Sequence, residues 1–253
     1  METTQSVTLN YLQEGEGPPL LLIHGFGISF DIWRELIPYL SPHFRLVMVE
    51  LPGIGRSPFP QTMDYIDAAV AGMEALRSKL GIQRWHVVSY STGARLGEHY
   101  ACLVPQHIDR SVFLCPAYVD AVKAGSLRMA IWVDTRLPVF GNYVLSGRRL
   151  DFLIRWLGFS FEPSPHSANW TKTIGSQSIP ALKATLRSLP GNGGSLRLLP
   201  PTPHLTIWGS RDSAVKIPRK PTGNDLLIPA THAAPMTNPR GVAEAILSFL
   251  STN

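Results

Sequence analysis

The chain has 253 residues, of which 44% are hydrophobic and 16% are charged, and its formal net charge is +5 at pH 7. This apolar content is enough for a large buried core and excludes a generally disordered chain. The basic residues are scattered, and Arg148 and Arg149 form the only adjacent pair of arginines, so we expect no nucleic-acid partner.

Several other classes of protein are excluded by simple patterns. No run of about 18 apolar residues occurs, which excludes an ordinary membrane-spanning helix. The first residues are polar and include Glu2, without a basic segment that leads into an apolar stretch, so we expect no secretory signal and a cytoplasmic location. Cys102 and Cys115 fall in apolar stretches and are expected to be buried free thiols. Because they lie far apart and no histidine pair has ligand spacing on a helix, we expect no metal and no other cofactor.

Strands and helices alternate along the first half of the chain. Short apolar runs predict buried strands, and apolar residues at helical spacing predict amphipathic helices between them. In chain order we predict a strand at 7–11, a strand at 20–23, a helix at 31–40, a strand at 46–49, a helix at 65–80, a strand at 85–88, a helix at 93–103 and a strand at 112–115. Such alternation is typical of an α/β fold with a mostly parallel central sheet, since each crossover helix must run back over the sheet.

The alternation stops after Pro116. Residues 118–197 are largely helical in pattern and rich in aromatic residues, and they end in a run of proline, glycine and asparagine. We therefore predict a helical cap at 118–197, inserted into an α/β core formed by 1–117 and 198–253. Strands at 205–208 and 226–228 and a helix at 242–250 complete this core. The aromatic residues predict an apolar pocket between cap and core, or alternatively the cap's own core.

One serine occupies a position suited to nucleophilic chemistry. Ser91 lies in Ser89-Tyr90-Ser91-Thr92-Gly93, directly after a predicted strand and directly before a predicted helix. A sharp turn of this kind holds the serine hydroxyl at the carboxyl end of the sheet, where the helix N-terminus faces developing negative charge. The pattern alone is common by chance, and a serine that merely caps the helix is the alternative.

A serine needs a base to take its proton and a carboxylate to orient that base. His232 follows the strand at 226–228, in a loop before the last helix, and is the predicted base. Asp212 follows the strand at 205–208 and is the predicted carboxylate. Asp120, just beyond the strand at 112–115, is the alternative carboxylate, because that strand end faces the same site.

Five blocks of sequence together resemble the α/β-hydrolase family of the esterase and C–C hydrolase type. They are His24-Gly25-Phe26-Gly27, the turn from Leu51 to Ser57, the serine turn, Trp208-Gly209-Ser210-Arg211-Asp212, and His232. The resemblance implies an oxyanion hole formed by the backbone N–H groups of Phe26 and Thr92, supported by His24, Gly25 and Gly27. The chain departs from the family pattern at Ser89 and Thr231, where glycine is common.

These residues predict a serine hydrolase. The leading interpretation is cleavage of a carboxylic ester or related acyl compound with an apolar portion, through an acyl-enzyme. Cleavage of a carbon–carbon bond in a diketone-like acid, thioester hydrolysis and acyl transfer use the same residues and stay open. A ligand-binding receptor on a hydrolase scaffold is the non-enzyme alternative, although such a receptor does not need a nucleophile, a base and an acid together.

Overall fold

The computed structural model of the chain describes residues 7–60, 63–117, 173–174, 176–188, 199–218 and 222–251. These residues form a seven-stranded sheet in the order β1-β3-β2-β4-β5-β6-β7. The strands are β1 Tyr11–Glu14, β2 Pro19–Ile23, β3 Arg45–Val49, β4 Trp85–Tyr90, β5 Ile108–Leu114, β6 His204–Gly209 and β7 Asp225–Ile228. Only β1 pairs antiparallel with its neighbour in this sheet, and every other pair is parallel. The predicted α/β fold class is therefore confirmed.

Six α-helices are described: α1 Ile37–Leu40, α2 Tyr65–Lys79, α3 Thr92–Leu103, α4 Ile179–Ser188, α5 Ala234–Thr237 and α6 Pro239–Leu250. Side-chain caps mark the start of α2 and of α6. Asp64 accepts a hydrogen bond from the Ile66 N–H at the start of α2, and Asn238 does the same for the Gly241 N–H at the start of α6. Among the described residues, no helix is both long and apolar enough to cross a membrane.

The sheet separates two apolar clusters, one on each face. Along β2, Leu20 and Leu22 belong to one cluster, whereas Leu21 and Ile23 belong to the other. The first cluster also contains the apolar side of α6, and the second contains that of α2. Burial on both faces explains why the central strands are continuous apolar runs. Because β2 to β7 pair in parallel, their carboxyl ends all lie at the same end of the sheet.

Three predicted elements differ from the observed ones by four or more residues. The strand predicted at 112–115 begins four residues earlier, as β5 Ile108–Leu114. Residues 31–40 do not form one helix: a 3-10 helix covers Phe30–Trp33 and α1 begins only at Ile37. Pro38 lies in the first turn of α1, where its missing N–H is tolerated, and it would not be tolerated inside a longer helix. The first strand is β1 Tyr11–Glu14 instead of 7–11, because its pairing with β3 decides which residues are extended.

Most of the predicted cap lies outside the described residues. Within 118–197, the structure describes 173–174 and 176–188, which include α4. This segment packs on the core: Ile174 and Leu182 approach Gly27, and the Gly55 N–H donates to Gln177 Oε1 over 2.9 Å. The cap and its boundaries stay a prediction.

Candidate active site

Ser91 is the single residue that connects β4, which ends at Tyr90, to α3, which begins at Thr92. Its backbone has φ 55° and ψ −120°, a conformation that L-residues rarely adopt and that costs about 1–3 kcal/mol. Backbone hydrogen bonds to the end of β5 hold it there: the Ser91 N–H donates to the Leu114 carbonyl (2.9 Å) and the Ala117 N–H donates to the Ser91 carbonyl (3.1 Å). The hydroxyl is thereby fixed at the carboxyl edge of the sheet.

Glycines permit the close packing around this turn. A Cβ atom on Gly93 would lie 2.0 Å from the His24 carbonyl oxygen, and one on Gly25 would lie 2.9 Å from Ser91 Cβ. This chain has Ser89 where the family commonly has glycine, and Gly97 leaves room for the serine side chain, since a Cβ on Gly97 would lie 2.3 Å from Ser89 Oγ. The loop after β2 therefore passes directly beside Ser91.

Hydrogen bonds connect Ser91, His232 and Asp212 in one chain. Ser91 Oγ lies 2.9 Å from His232 Nε2, and His232 Nδ1 lies 2.8 Å from Asp212 Oδ2. The carboxylate can only accept, so Nδ1 carries the proton and Nε2 is left to accept from the serine hydroxyl. All three residues are buried, with exposed fractions of 6%, 6% and 3% respectively. The arrangement can move a proton from the hydroxyl to the imidazole.

The carboxylate of Asp212 is held by its own loop. Its second oxygen, Oδ1, accepts hydrogen bonds from the Ala214 N–H (2.8 Å) and the Val215 N–H (3.0 Å). The loop that carries Asp212 is joined to the loop after β7 by a backbone hydrogen bond, in which the Arg211 N–H donates to the Ala230 carbonyl over 2.9 Å. Asp120 lies outside the described residues, so among the described carboxylates it is Asp212 that contacts the imidazole.

His24 ties together the loops that follow β2 and β3. Its Nδ1 donates to the Gly25 carbonyl over 2.8 Å, and its Nε2 accepts from the Leu51 N–H over 3.0 Å. Complete burial lowers the pKa of His24 to about 4, although the hydrogen bond to Gly25 opposes this shift. His24 is thus neutral near pH 7 and bridges the two loops, while its role as a support of the oxyanion loop stays a prediction.

The two predicted oxyanion donors belong to the start of α3 and to the loop after β2. Thr92 is the first residue of α3, so its N–H points out of the helix N-terminus without an intrahelical acceptor. Phe26 lies in the loop whose Gly25 approaches Ser91, next to Gly27, which has φ +64° and packs against Ile174 and Leu182. Their role as oxyanion donors stays a prediction.

Sequence reasoning did not identify Tyr90 and Cys115 as parts of this site. The Tyr90 hydroxyl donates to the His232 carbonyl over 3.1 Å, and burial raises the pKa of this phenol well above its usual value. The Cys115 sulfur lies within 4.8 Å of ligand atoms of both Asp212 and His232. The available signal was position: Tyr90 precedes the serine, and Cys115 follows the carboxyl end of β5.

A cleft of about 800 Å³ opens where α4 meets the loop before α2. Five apolar residues with large or rigid side chains line it: Phe59, Pro60, Met63, Ile179 and Pro180. Lys183 and Arg187, which lie one helical turn apart on α4, also line it. Asp64 and Tyr65 line it as well, so the cleft combines apolar walls with charged side chains of both signs.

The chain is similar to proteins of a known family. Residues 18–219 match the family of the alpha/beta hydrolase fold. A pimeloyl-(acyl-carrier protein) methyl ester esterase from Aeromonas salmonicida is 24% identical over 93% of this chain and 96% of its own length. A 2-hydroxy-6-oxo-6-(2'-aminophenyl)hexa-2,4-dienoic acid hydrolase from Metapseudomonas resinovorans is 24% identical over 97% of this chain and 88% of its own length.

Solved structures agree at the level of the fold. A hydrolase from Pseudomonas aeruginosa has a TM-score of 0.78 at 21% identity and covers 100% of this chain and 97% of its own. An esterase from Thermogutta terrifontis has a TM-score of 0.77 at 20% identity and covers 99% and 95%. The resemblance drawn from the five sequence blocks is confirmed, and the chain belongs to the alpha/beta hydrolase family.

Proposed function

We propose that this hydrolase is a serine esterase that cleaves a carboxylic ester, or a related acyl compound with an apolar portion, through an acyl-enzyme. The observation that carries the proposal is the chain of hydrogen bonds of 2.9 Å and 2.8 Å from Ser91 through His232 to Asp212. A serine that only capped α3 would not need this partner, and its side chain makes no capping hydrogen bond.

The proposed reaction has two halves. In the first, Ser91 Oγ attacks the substrate carbonyl while His232 Nε2 takes the hydroxyl proton, and the same proton then passes to the leaving alcohol. In the second, His232 Nε2 takes a proton from water as the water oxygen attacks the acyl carbon, and the Ser91 ester bond then breaks while His232 returns the proton to Ser91 Oγ, which releases the acid and restores the starting enzyme. Asp212 keeps the imidazole in the correct tautomer and stabilises its cationic form throughout.

Both tetrahedral intermediates carry an oxyanion that needs hydrogen-bond donors. We assign the backbone N–H groups of Phe26 and Thr92 to this role, with His24, Gly25 and Gly27 holding the Phe26 loop in place. Support comes from the packing, because Gly25 and Gly93 both lie where any side chain would collide with the serine turn or its neighbour. Fixed backbone donors need no reorganisation during the reaction.

The apolar part of the substrate is assigned to the boundary between the core and the predicted cap. The cleft beside α4 has apolar walls at this boundary. Relatives named as methyl ester esterases make an ester of a small alcohol with a longer acyl chain the first compound to test. The cytoplasmic location expected from the sequence stays a prediction.

Carbon–carbon bond cleavage is the second candidate. It is favoured by one observation, the similarity over 97% of this chain to a relative named as a hydrolase of a substituted hexadienoic acid. The same Ser91, His232 and Asp212 would serve it, so the site geometry does not separate the two reactions. Assays with p-nitrophenyl esters of increasing chain length, run beside dienoic keto acids, distinguish them.

Labelling with a fluorophosphonate probe tests the proposed nucleophile. We expect the wild-type protein to be labelled and both Ser91→Ala and His232→Ala to lose labelling. Ser89→Ala is the matched control, because Ser89 is buried near the end of β4, two residues before Ser91, but its hydroxyl has no hydrogen-bond partner among the described residues. Labelling that persists in Ser91→Ala, or that disappears equally in a folded Ser89→Ala protein, would contradict the proposal.

A further inference from the structure

Three different metal-ligand atoms meet behind the serine. The Cys115 sulfur, one imidazole nitrogen of His232 and one carboxylate oxygen of Asp212 all lie within 4.8 Å of one another. All three residues are buried, Cys115 completely. Thiolate, imidazole and carboxylate are the three ligand types that Zn²⁺ takes in proteins.

The spacing suits a tetrahedral ion. With Zn–S near ~2.3 Å and Zn–N or Zn–O near ~2.1 Å, neighbouring ligand atoms of a tetrahedral site lie roughly 3.4–3.6 Å apart. The Nδ1 and Oδ2 atoms, now 2.8 Å apart, would separate to roughly 3.4 Å around such an ion, and the Cys115 sulfur, which lies within 4.8 Å of ligand atoms of both residues, would complete the third ligand position. Charge also balances, since a thiolate and a carboxylate together neutralise one divalent cation.

We propose that Cys115, Asp212 and His232 form an inhibitory site for Zn²⁺. The bound ion replaces the hydrogen bond between His232 Nδ1 and Asp212 Oδ2, with water as the fourth ligand. Asp212 binds through Oδ2, while its Oδ1 keeps the hydrogen bonds from Ala214 and Val215. The binding half of this inference stands on geometry alone, and the inhibition half rests on the proposed function.

Inhibition follows from where the protons go. The Cys115 thiol releases its proton to solvent when sulfur binds the ion. His232 must free the lone pair on Nδ1, so its proton moves to Nε2, which then donates to Ser91 Oγ. An imidazole in this tautomer cannot accept the serine proton, so the nucleophile is not activated.

In this proposal zinc is an inhibitor of the enzyme and not a cofactor. The same atoms that would hold the ion are those that orient the base, so catalysis and metal binding are mutually exclusive. Because the ligands are buried, we expect inhibition to develop during preincubation and to be reversed by a chelator.

Cobalt(II) titration tests binding without any measurement of activity. The wild-type protein should develop a thiolate-to-cobalt charge-transfer band that excess Zn²⁺ removes. Cys115→Ala should lose the band. Cys102→Ala is the matched control and should keep it, because Cys102, half-buried on α3, is the only other cysteine of the chain. Absence of a band in wild type, or its loss in Cys102→Ala alone, overturns the proposed site.

Inhibition is measured as the ratio of fluorophosphonate labelling with and without Zn²⁺, for each variant against itself. We expect Zn²⁺ to reduce labelling of wild type and Cys102→Ala at least tenfold and to change labelling of Cys115→Ala less than twofold. Equal inhibition of Cys115→Ala overturns the inhibitory role. If no form is labelled even without zinc, the proposed function fails, whereas the cobalt result still decides the metal site.

Discussion

The fit between Ser89 and Gly97 offers a quantitative test of how the serine turn is packed. Ser89 occupies a strand position where related hydrolases commonly have glycine, and Gly97 faces it from α3. A Cβ atom added to Gly97 would lie 2.3 Å from Ser89 Oγ and 2.7 Å from Ser89 Cβ, whereas Phe113 would be at an ordinary 3.7 Å. The two positions therefore share space for a single side chain.

The expected energies follow from this overlap. Overpacking of a buried site costs about 1–3 kcal/mol, and two contacts under 3 Å place Gly97→Ala at about 3 kcal/mol. Alanine regains about 1 kcal/mol over glycine inside a helix, which leaves a net loss of about 2 kcal/mol. In a Ser89→Gly background the overlap is gone, so the same alanine should stabilise by about 1 kcal/mol. The coupling energy of the pair is then about 3 kcal/mol.

Denaturant unfolding of wild type, both single variants and the double variant measures this coupling. Gly97→Ala should also lower Tm by about 4–8 °C, and the double variant should recover most of that loss. Ester hydrolysis should follow the same order, because Ser91 is two residues from Ser89. Additivity of the single variants within about 0.5 kcal/mol would refute the proposed shared space.

Three further variants test other parts of the site. In Asp212→Asn the amide oxygen should keep the hydrogen bonds from the two backbone N–H groups that Oδ1 binds, so the amide NH₂ faces His232 Nδ1 and selects the wrong tautomer of the imidazole. We expect kcat to fall about 10,000-fold with little change in Tm. A variant that keeps more than a tenth of the wild-type kcat would contradict this. The pKa of His24 is lowered from 6.5 to about 4, so between these pH values the unfolded chain binds a proton at His24 and the folded chain does not. The free energy of unfolding should therefore fall by up to about 3 kcal/mol when the pH is lowered from 6.5 to 4. If His24→Gln shows the same dependence of unfolding free energy on pH, the dependence arises from other groups. Ala184→Trp narrows the cleft beside α4 and should raise KM for a C8 ester more than for a C2 ester, whereas equal effects would place the acyl chain elsewhere.

The elements with strong apolar patterns were predictable from sequence. The helix predicted at 65–80 is α2 Tyr65–Lys79, and the strand predicted at 46–49 lies within β3 Arg45–Val49. Strong apolar periodicity and a clear cap at Asp64 define such elements locally. Edge strands are different, because β1 takes its extent from its pairing with β3, which the alternation at 7–11 does not encode.

The residues of the candidate site were predictable for a topological reason. Ser91, Asp212 and His232 each follow the carboxyl end of a strand, and a parallel sheet brings those ends to one edge. The side-chain contacts between neighbouring elements could not be predicted from the sequence. Neither the approach of Cys115 to Asp212 nor the shared space of Ser89 and Gly97 has a spacing signal, since both depend on strand register and on how α3 sits against the sheet.

Strain at the site is shared between neighbouring strands. Among the described non-glycine residues, only Ser91 and Cys115 have positive φ, and each directly follows a strand, β4 and β5 respectively. Their strands are paired so that Tyr90 lies opposite Leu114, which makes them equivalent exit positions. The Ser91 N–H donates to the Leu114 carbonyl, and the Cys115 N–H donates to the Ile207 carbonyl on β6. The conformation of the nucleophile is thus supported by a hydrogen-bonded series that ends on the strand preceding Asp212. A perturbation that loosens β6 should therefore lower kcat through both the serine and the carboxylate, even where Asp212 itself is unchanged.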